Sequence, residues 1–191
     1  MPFRDFTPKR RNITTAVTTH RDHKENLRID FKYRCGYCNS PDSWKLTYYE
    51  IDHFIPEDIL TIMCNTDYRN LVYACRSCNN SKRKKWPTKD ENLSCANDEG
   101  WVDPCDDTYN SHFSRQQDGT IKYETALGKW MYTALQLHKP QHAVIFNLEQ
   151  LEHLIHEMEE INSKKKNDIV AQLLLTTYRN YRTYIDKFRN L

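Results

Sequence analysis

The chain has 191 residues, with 28 Lys and Arg against 26 Asp and Glu and a formal net charge of +2. This length fits one domain, or one small domain with an appendage, and the near-neutral charge does not by itself announce a nucleic-acid partner. The odd count of seven cysteines and the polar, basic start of the chain argue against a secreted disulfide scaffold, so we expect a cytoplasmic protein. Apolar runs are too short to span a membrane, so we expect no membrane partner.

The first half of the chain is predicted to fold into short elements. In chain order these are a polar arm over 1–24, a helix over 25–33, a strand over 44–54, a second strand over 71–74, and a helix over 79–85 that Pro87 ends. In a regular strand, the adjacent Asp52 and His53 point to opposite faces.

The second half is predicted to be helical. Apolar residues recur at helical spacing over 123–137, and Asn147 can cap a further helix. A last helix capped by Asn167 or Asp168 would form an antiparallel hairpin with it. We therefore divide the chain into an arm (1–24), a core (25–95) and a mostly helical C-terminal region (96–191).

Two C-x2-C pairs, Cys35 with Cys38 and Cys75 with Cys78, are the strongest motif. Each such turn places two sulfurs on one side of a metal, and two turns close a tetrahedral shell around Zn²⁺. Since a closed shell leaves no open position, this zinc would be structural. The other three cysteines are expected to be free.

The residues between and beside these pairs predict a second, harder metal. Asp52 offers a carboxylate and Asn79 an amide oxygen, ligands that suit Mg²⁺ or Mn²⁺. His53 is a candidate general base, because an imidazole can take a proton from water near neutral pH. The remaining histidines show no comparable arrangement and are expected to be structural: His20, His23, His112, His138, His142, His153 and His156.

Taken together, Cys-x2-Cys, Ile51-Asp-His-Phe-Ile-Pro56, Asn70-Leu-Val72 and Cys-x2-Cys-Asn-x2-Lys82 resemble an HNH endonuclease of the ββα-metal class. The resemblance covers about 33–86 and implies an α+β fold with a zinc-stapled ββα core. It also implies that His53 is the general base, that Asp52 and Asn79 bind the catalytic metal, and that Asn70 steadies the loop and the histidine.

The resemblance further implies hydrolysis of phosphodiester bonds in nucleic acid, with DNA preferred, to give 5′-phosphate and 3′-hydroxyl ends. Lys82 falls at a family lysine placed near phosphate. The basic residues that follow it are expected to hold the phosphate backbone in a salt-sensitive, sequence-blind way: Arg83, Lys84 and Lys85.

Downstream, Trp101-Val-Asp-Pro-Cys-Asp-Asp107, His112-Phe113 and Asp118-Gly-Thr-Ile121 are similar to a segment of bacterial antiphage defence proteins. That similarity implies an effector subunit with an ABC-type ATPase as candidate partner. The main alternative is a non-catalytic zinc module that binds nucleic acid or protein. Such a module needs the cysteines and the basic run, but it does not need the Asp-His, Asn and Asn motifs.

Overall fold

The computed structural model describes residues 1–44, 48–164 and 166–191. The fold is mixed α+β, as predicted, and the described residues include three two-stranded antiparallel sheets. The strands are β1 (Tyr49–His53), β2 (Leu71–Cys75), β3 (Cys95–Ala96), β4 (Glu99–Gly100), β5 (Phe113–Arg115) and β6 (Ile121–Tyr123). The α-helices are α1 (Lys24–Asp30), α2 (Arg76–Lys82), α3 (Ala126–Leu135), α4 (Pro140–Lys164) and α5 (Asp168–Arg189).

The described chain divides into two compact units. The first comprises residues 1–116 and 121–138, and the second comprises residues 117–120 and 139–191. All six strands and helices α1 to α3 lie in the first unit, while α4 and α5 lie in the second. The C-terminal helices are therefore divided between the units.

The β1–β2 hairpin and α2 form the ββα arrangement of the first unit. Asp52 pairs with Val72 and His53 with Leu71 across the hairpin, and α2 follows β2 without a loop. Every residue of β2 is buried, which anchors β1 on the core. The strand predicted over 44–54 is observed over Tyr49–His53, and residues 45–47 lie outside the described part of the chain.

The N-terminal arm packs on this core. Phe3 is buried, and the Arg4 guanidinium donates to the carbonyls of Gly36 and Pro104, at 3.0 and 2.6 Å. Arg10 donates to the carbonyl of Leu71 at 2.7 Å. Because these donors satisfy buried carbonyls of the core, the arm is part of the packing of the first unit.

The second unit is a helical hairpin, as predicted. Tyr181 of α5 donates to Glu152 of α4 at 3.0 Å, and Asn167 caps α5 by accepting from two backbone amides. The predicted cap at Asn147 is wrong, because α4 already begins at Pro140, a favoured first helical residue. No helix within the described ranges is both long and apolar enough to cross a membrane.

Candidate active site and metal centres

The four motif cysteines form one buried cluster. Their sulfurs lie within 4.8 Å of one another, and the Sγ atoms of Cys38 and Cys75 are 3.9 Å apart. In a tetrahedral zinc shell with bonds of about 2.3 Å, sulfurs are about 3.8 Å apart. Contact with Cys35 is the largest cause that raises the pKa of Cys75 and Cys78, so a cation is needed to hold these groups as thiolates. The cluster therefore fits structural zinc.

Gly36 explains how the first cysteine pair reaches the second. Its amide donates to the carbonyl of Tyr73 at 2.8 Å. A Cβ at this position would lie 2.6 Å from the ring of Phe31 and 2.9 Å from Val72. Glycine thus permits the close approach that brings Cys35 and Cys38 to the end of β2.

A cavity of about 550 Å³ lies beside the ββα element and brings together three predicted site residues, Asp52, His53 and Asn79. Asp52 and His53 come from the end of β1, and Asn79 comes from the first turns of α2. Exposed Arg83 and Lys84 line the same cavity.

Asp52 lies at the buried wall of the cavity and is held by two donors. Tyr37 donates its hydroxyl to Asp52 Oδ2 at 2.5 Å, and the Lys82 ammonium lies 3.0 Å from the same oxygen. Burial raises the pKa of Asp52, and Lys82 is the largest opposing influence. Among the described residues, both polar contacts of the side chain are made by Oδ2, so Oδ1 is the oxygen available to a cation in the cavity.

The side chain of Asn79 is oriented by Glu50, a carboxylate that was not among the predicted site residues. Its Nδ2 donates to Glu50 Oε2 at 3.0 Å, which directs the amide oxygen away from Glu50. Glu50 lies two residues before Asp52, on the same face of a regular strand, but its contact with α2 could not be predicted from periodicity. The amide oxygen of Asn79 and Oδ1 of Asp52 give two hard ligands at one cavity, a donor set that fits Mg²⁺ or Mn²⁺.

The contacts of His53 define which ring nitrogen can act as a base. Its Nε2 lies 2.7 Å from the carbonyl oxygen of Asn65. A carbonyl only accepts, so this contact assigns the proton to Nε2 and leaves the lone pair on Nδ1. The Nδ1 atom is therefore the nitrogen that can take a proton from water.

Asn70 holds the turn that follows His53. Its Oδ1 accepts from the amide of Ile55 at 2.8 Å, and its Nδ2 donates to the carbonyl of the same residue at 3.0 Å. The backbone of Asn70 also accepts from the amide of Phe54 at 2.7 Å. This geometry is compatible with the predicted loop-steadying role, since Asn70 clamps the backbone two residues beyond His53.

Lys82 differs from its predicted role. The residue is fully buried, and its ammonium donates to the carbonyl of His53 at 2.7 Å in addition to pairing with Asp52. A buried, paired ammonium has no surface for a phosphate, so the predicted phosphate contact of Lys82 is wrong. Its position instead ties α2 to the two residues at the end of β1.

Lys85 is exposed, and its ammonium also makes contacts within the fold. Its ammonium donates to the carbonyls of Ser81 and Ala134, at 2.7 and 2.9 Å, and so joins α2 to α3. The phosphate contact expected of Lys85 stays a prediction. Of the predicted basic run, Arg83 and Lys84 line the cavity.

His20, which was expected to be structural, lies against His53. The ring centroids are 4.6 Å apart with the planes 76° from parallel, and burial, followed by the charge of His53, lowers the pKa of His20. Glu57 Oε1 lies 3.6 Å from His53 Nε2. No sequence signal links His20 to His53, because 32 intervening residues separate them and only tertiary packing of the arm brings them together.

The first unit therefore carries a ββα element, a four-cysteine cluster that fits a zinc ion, and a polar cavity lined by Asp52, His53 and Asn79. Comparison with protein families gives a match to the HNH endonuclease family model over residues 35–85. The resemblance to HNH endonucleases is thereby confirmed for the segment that contains both candidate metal centres. Comparisons with curated proteins and with solved structures give no match.

Proposed function

We propose that this protein is a metal-dependent HNH endonuclease that hydrolyses phosphodiester bonds in DNA. The observation that carries the proposal is one cavity lined by Asp52, His53 and Asn79, inside the segment that matches the HNH family model. Asp52 and Asn79 would hold Mg²⁺ or Mn²⁺. When bound, such an ion stabilises negative charge on the phosphate and on the departing oxygen.

The protein groups supply proton transfer and orientation. His53 takes the proton of the attacking water on Nδ1, while the Asn65 carbonyl fixes the ring through Nε2. Lys82 holds the backbone of His53 and the carboxylate of Asp52 at the same time. The base and the ligand are therefore positioned together by one buried ammonium, which reduces the reorganisation needed in the reaction.

Basic side chains on both sides of the site support a nucleic-acid substrate. A second cavity of about 430 Å³ shares Ile51 and Asn79 with the first and is lined by Arg21 and Lys24 of the arm and α1. Together with Arg83 and Lys84 at the first cavity, these cations suit a phosphate backbone that crosses the site. The expected binding is salt-sensitive and independent of base sequence.

Metal-dependent cleavage tests the proposal. Zinc-loaded protein is treated with EDTA until Mg²⁺ is removed, and plasmid nicking and zinc content are followed together. We expect cleavage to stop while the cysteine-bound zinc is retained, and to return on addition of Mg²⁺ or Mn²⁺ with products that carry 5′-phosphate ends. Binding of plasmid without cleavage under all these conditions would instead identify the non-catalytic zinc module.

We also propose a role as the effector subunit of an antiphage defence system, with an ABC-type ATPase as partner. The support is the similarity of residues 101–121 to a segment of bacterial defence proteins. Affinity purification from the native host, followed by mass spectrometry, tests this role. Stoichiometric recovery of such an ATPase would support it, and recovery of the chain alone would count against it.

A further inference from the structure

The arm places a second histidine and a carboxylate beside the candidate general base. Ligand atoms of His20, His53 and Glu57 lie within 4.8 Å of one another. Two imidazoles and one carboxylate, with positions left for water, form the ligand set of open zinc sites. We infer that these three residues form a second transition-metal site, distinct from the cysteine cluster and from the oxygen ligands of the cavity, that binds Zn²⁺ and switches the nuclease off.

Local structure holds His20 in place for this role. Thr19 accepts from the amide of Arg21, and its own amide donates to Asp22, so a capping box closes the 3₁₀ helix His20–His23. His23 is buried and packs edge-on against Tyr68, with ring centroids 5.0 Å apart. His20 is thus fixed on both sides by ordered contacts, which lowers the cost of organising the site.

The ligand types discriminate between metals. The catalytic pair, Asp52 and Asn79, offers oxygen atoms, which Mg²⁺ prefers. The cluster of His20, His53 and Glu57 offers two nitrogens, which favour Zn²⁺, Co²⁺ or Ni²⁺ over Mg²⁺. A low concentration of Zn²⁺ can therefore occupy the second site in the presence of excess Mg²⁺.

The position of the proton on His53 explains why a zinc ion bound at this site inhibits cleavage. Nε2 faces Glu57 Oε1 at 3.6 Å and shares its proton with the carbonyl of Asn65. A neutral imidazole carries one proton, so a cation that takes Nε2 moves that proton to Nδ1. Nδ1 then has no lone pair with which to accept a proton from the attacking water. This consequence rests on the proposed function, whereas the metal site itself does not.

Direct binding tests the site without any assay of cleavage. Protein that already carries its cysteine-bound zinc is titrated with Zn²⁺ by calorimetry in millimolar Mg²⁺. We expect one further equivalent to bind, and His20→Ala and Glu57→Gln each to weaken it by about tenfold or more, as loss of metal-site groups typically does. Thermal melting shows that each variant is folded.

A matched control comes from the second unit. His153 and Glu157 form the same i,i+4 pair, with 3.6 Å between Nδ1 and Oε1, but they are not part of a three-ligand cluster among the described residues. His153→Ala should leave the affinity for Zn²⁺ unchanged. Equal zinc affinity in wild type, His20→Ala and Glu57→Gln would overturn the site.

The tautomer of His53 provides the second readout. Nitrogen-15 spectra of the imidazoles should show Nδ1 of His53 changing from unprotonated to protonated as Zn²⁺ binds. Zinc binding with Nδ1 left unprotonated would overturn the inhibitory mechanism. If the protein proves not to cleave nucleic acid, the zinc titration and the imidazole spectra still test whether the metal site exists. If it cleaves, each variant should resist Zn²⁺ inhibition relative to its own zinc-free rate.

Discussion

Lys82 shows how one residue can link the stability of the fold to the geometry of the site. Its ammonium is enclosed by the Asp52 carboxylate and the His53 carbonyl, and it lies 5.8 Å from the centre of the Trp101 ring. A lysine in a basic run after a metal motif is usually expected at the surface. Lys82 is buried instead, because its position on α2 directs the side chain beneath β1.

Removal of this ammonium should destabilise the protein. Lys82→Met leaves the buried Asp52 carboxylate without its cation, and breaking one side of a buried ion pair costs about 3 kcal/mol or more. Denaturant unfolding of the zinc-loaded protein measures the change in the free energy of unfolding. Lys84→Met is the matched control, because Lys84 is exposed and pairs with Asp58 at the surface. The control should lose nucleic-acid affinity and less than about 1 kcal/mol of stability. Equal stabilities of the two variants would contradict the buried role.

Arg83 gives a second test at the scale of a residue. It ends α2 with φ of +46°, in the region that favours glycine. Arg83→Gly should therefore leave the melting temperature unchanged or raise stability by up to about 1 kcal/mol, while it weakens binding to nucleic acid. Arg83→Ala should weaken binding to the same extent without a gain in stability. A lower melting temperature for Arg83→Gly with unchanged binding would refute this interpretation.

At the scale of elements, the loop between β1 and β2 is anchored from outside the ββα unit. The Glu91 carboxylate accepts from the amides of Thr61, Ile62 and Met63, at 2.6 to 2.9 Å. The same loop carries Asn65, whose carbonyl orients His53. Glu91 is far from His53 in the sequence, but it holds the loop whose Asn65 carbonyl orients the ring of the candidate base.

The charge of Glu91 should matter across the neutral pH range. Its contacts, chiefly those with Thr61, lower the pKa of Glu91 from 4.5 to about 2. Because the pKa is lower in the folded state, the anchoring is present above pH 4.5 and is lost as the pH falls toward 2. Glu91→Gln should speed amide exchange at Ile62 and Met63 at pH 7, whereas Glu99→Gln, at an exposed carboxylate of β4, should not. Unchanged exchange in Glu91→Gln would show that the loop does not depend on this charge.

The elements that could be predicted are those with short-range signals. The C-x2-C spacing, the alternation around Asp52 and the helical periodicity of the C-terminal half all lie within a few residues of chain. The contacts of His20 and Glu50 could not be predicted, because they depend on how the arm and α2 pack against β1. The predicted start of α4 is wrong because Asn147, which has the side chain of a cap, lies inside the helix. Its Nδ2 donates to the carbonyl of Ala143 within α4 and to that of Asp118 outside it.

At the scale of the whole molecule, the cysteine cluster joins two segments of the first unit that are distant in the sequence. Cys35 and Cys38 follow α1, whereas Cys75 and Cys78 lie at the junction of β2 and α2. A zinc ion held by all four would close a long loop that contains the whole of β1. Since metal binding at such a site is coupled to folding, loss of the shell should unfold the unit before it affects chemistry.

Cys75→Ser should therefore yield insoluble or unfolded protein without zinc. Cys64→Ser is the control, because Cys64 is exposed and lies outside the cluster, and it should remain soluble with one cysteine-bound zinc. Circular dichroism and elemental analysis measure both properties. Soluble, folded Cys75→Ser with an unchanged melting temperature would show that the cluster is not a structural metal site.

Turnover of nucleic acid by His53→Ala tests most directly whether the cavity is an active site. The variant keeps Asp52, Asn79 and the cysteines, so we expect normal folding, normal cysteine-bound zinc and normal nucleic-acid binding. Loss of a general base typically lowers the rate by about 10²- to 10⁴-fold, and plasmid cleavage in Mg²⁺ should fall by that amount. A folded, zinc-loaded His53→Ala protein that cleaves at the wild-type rate would contradict the assignment of His53 as the general base.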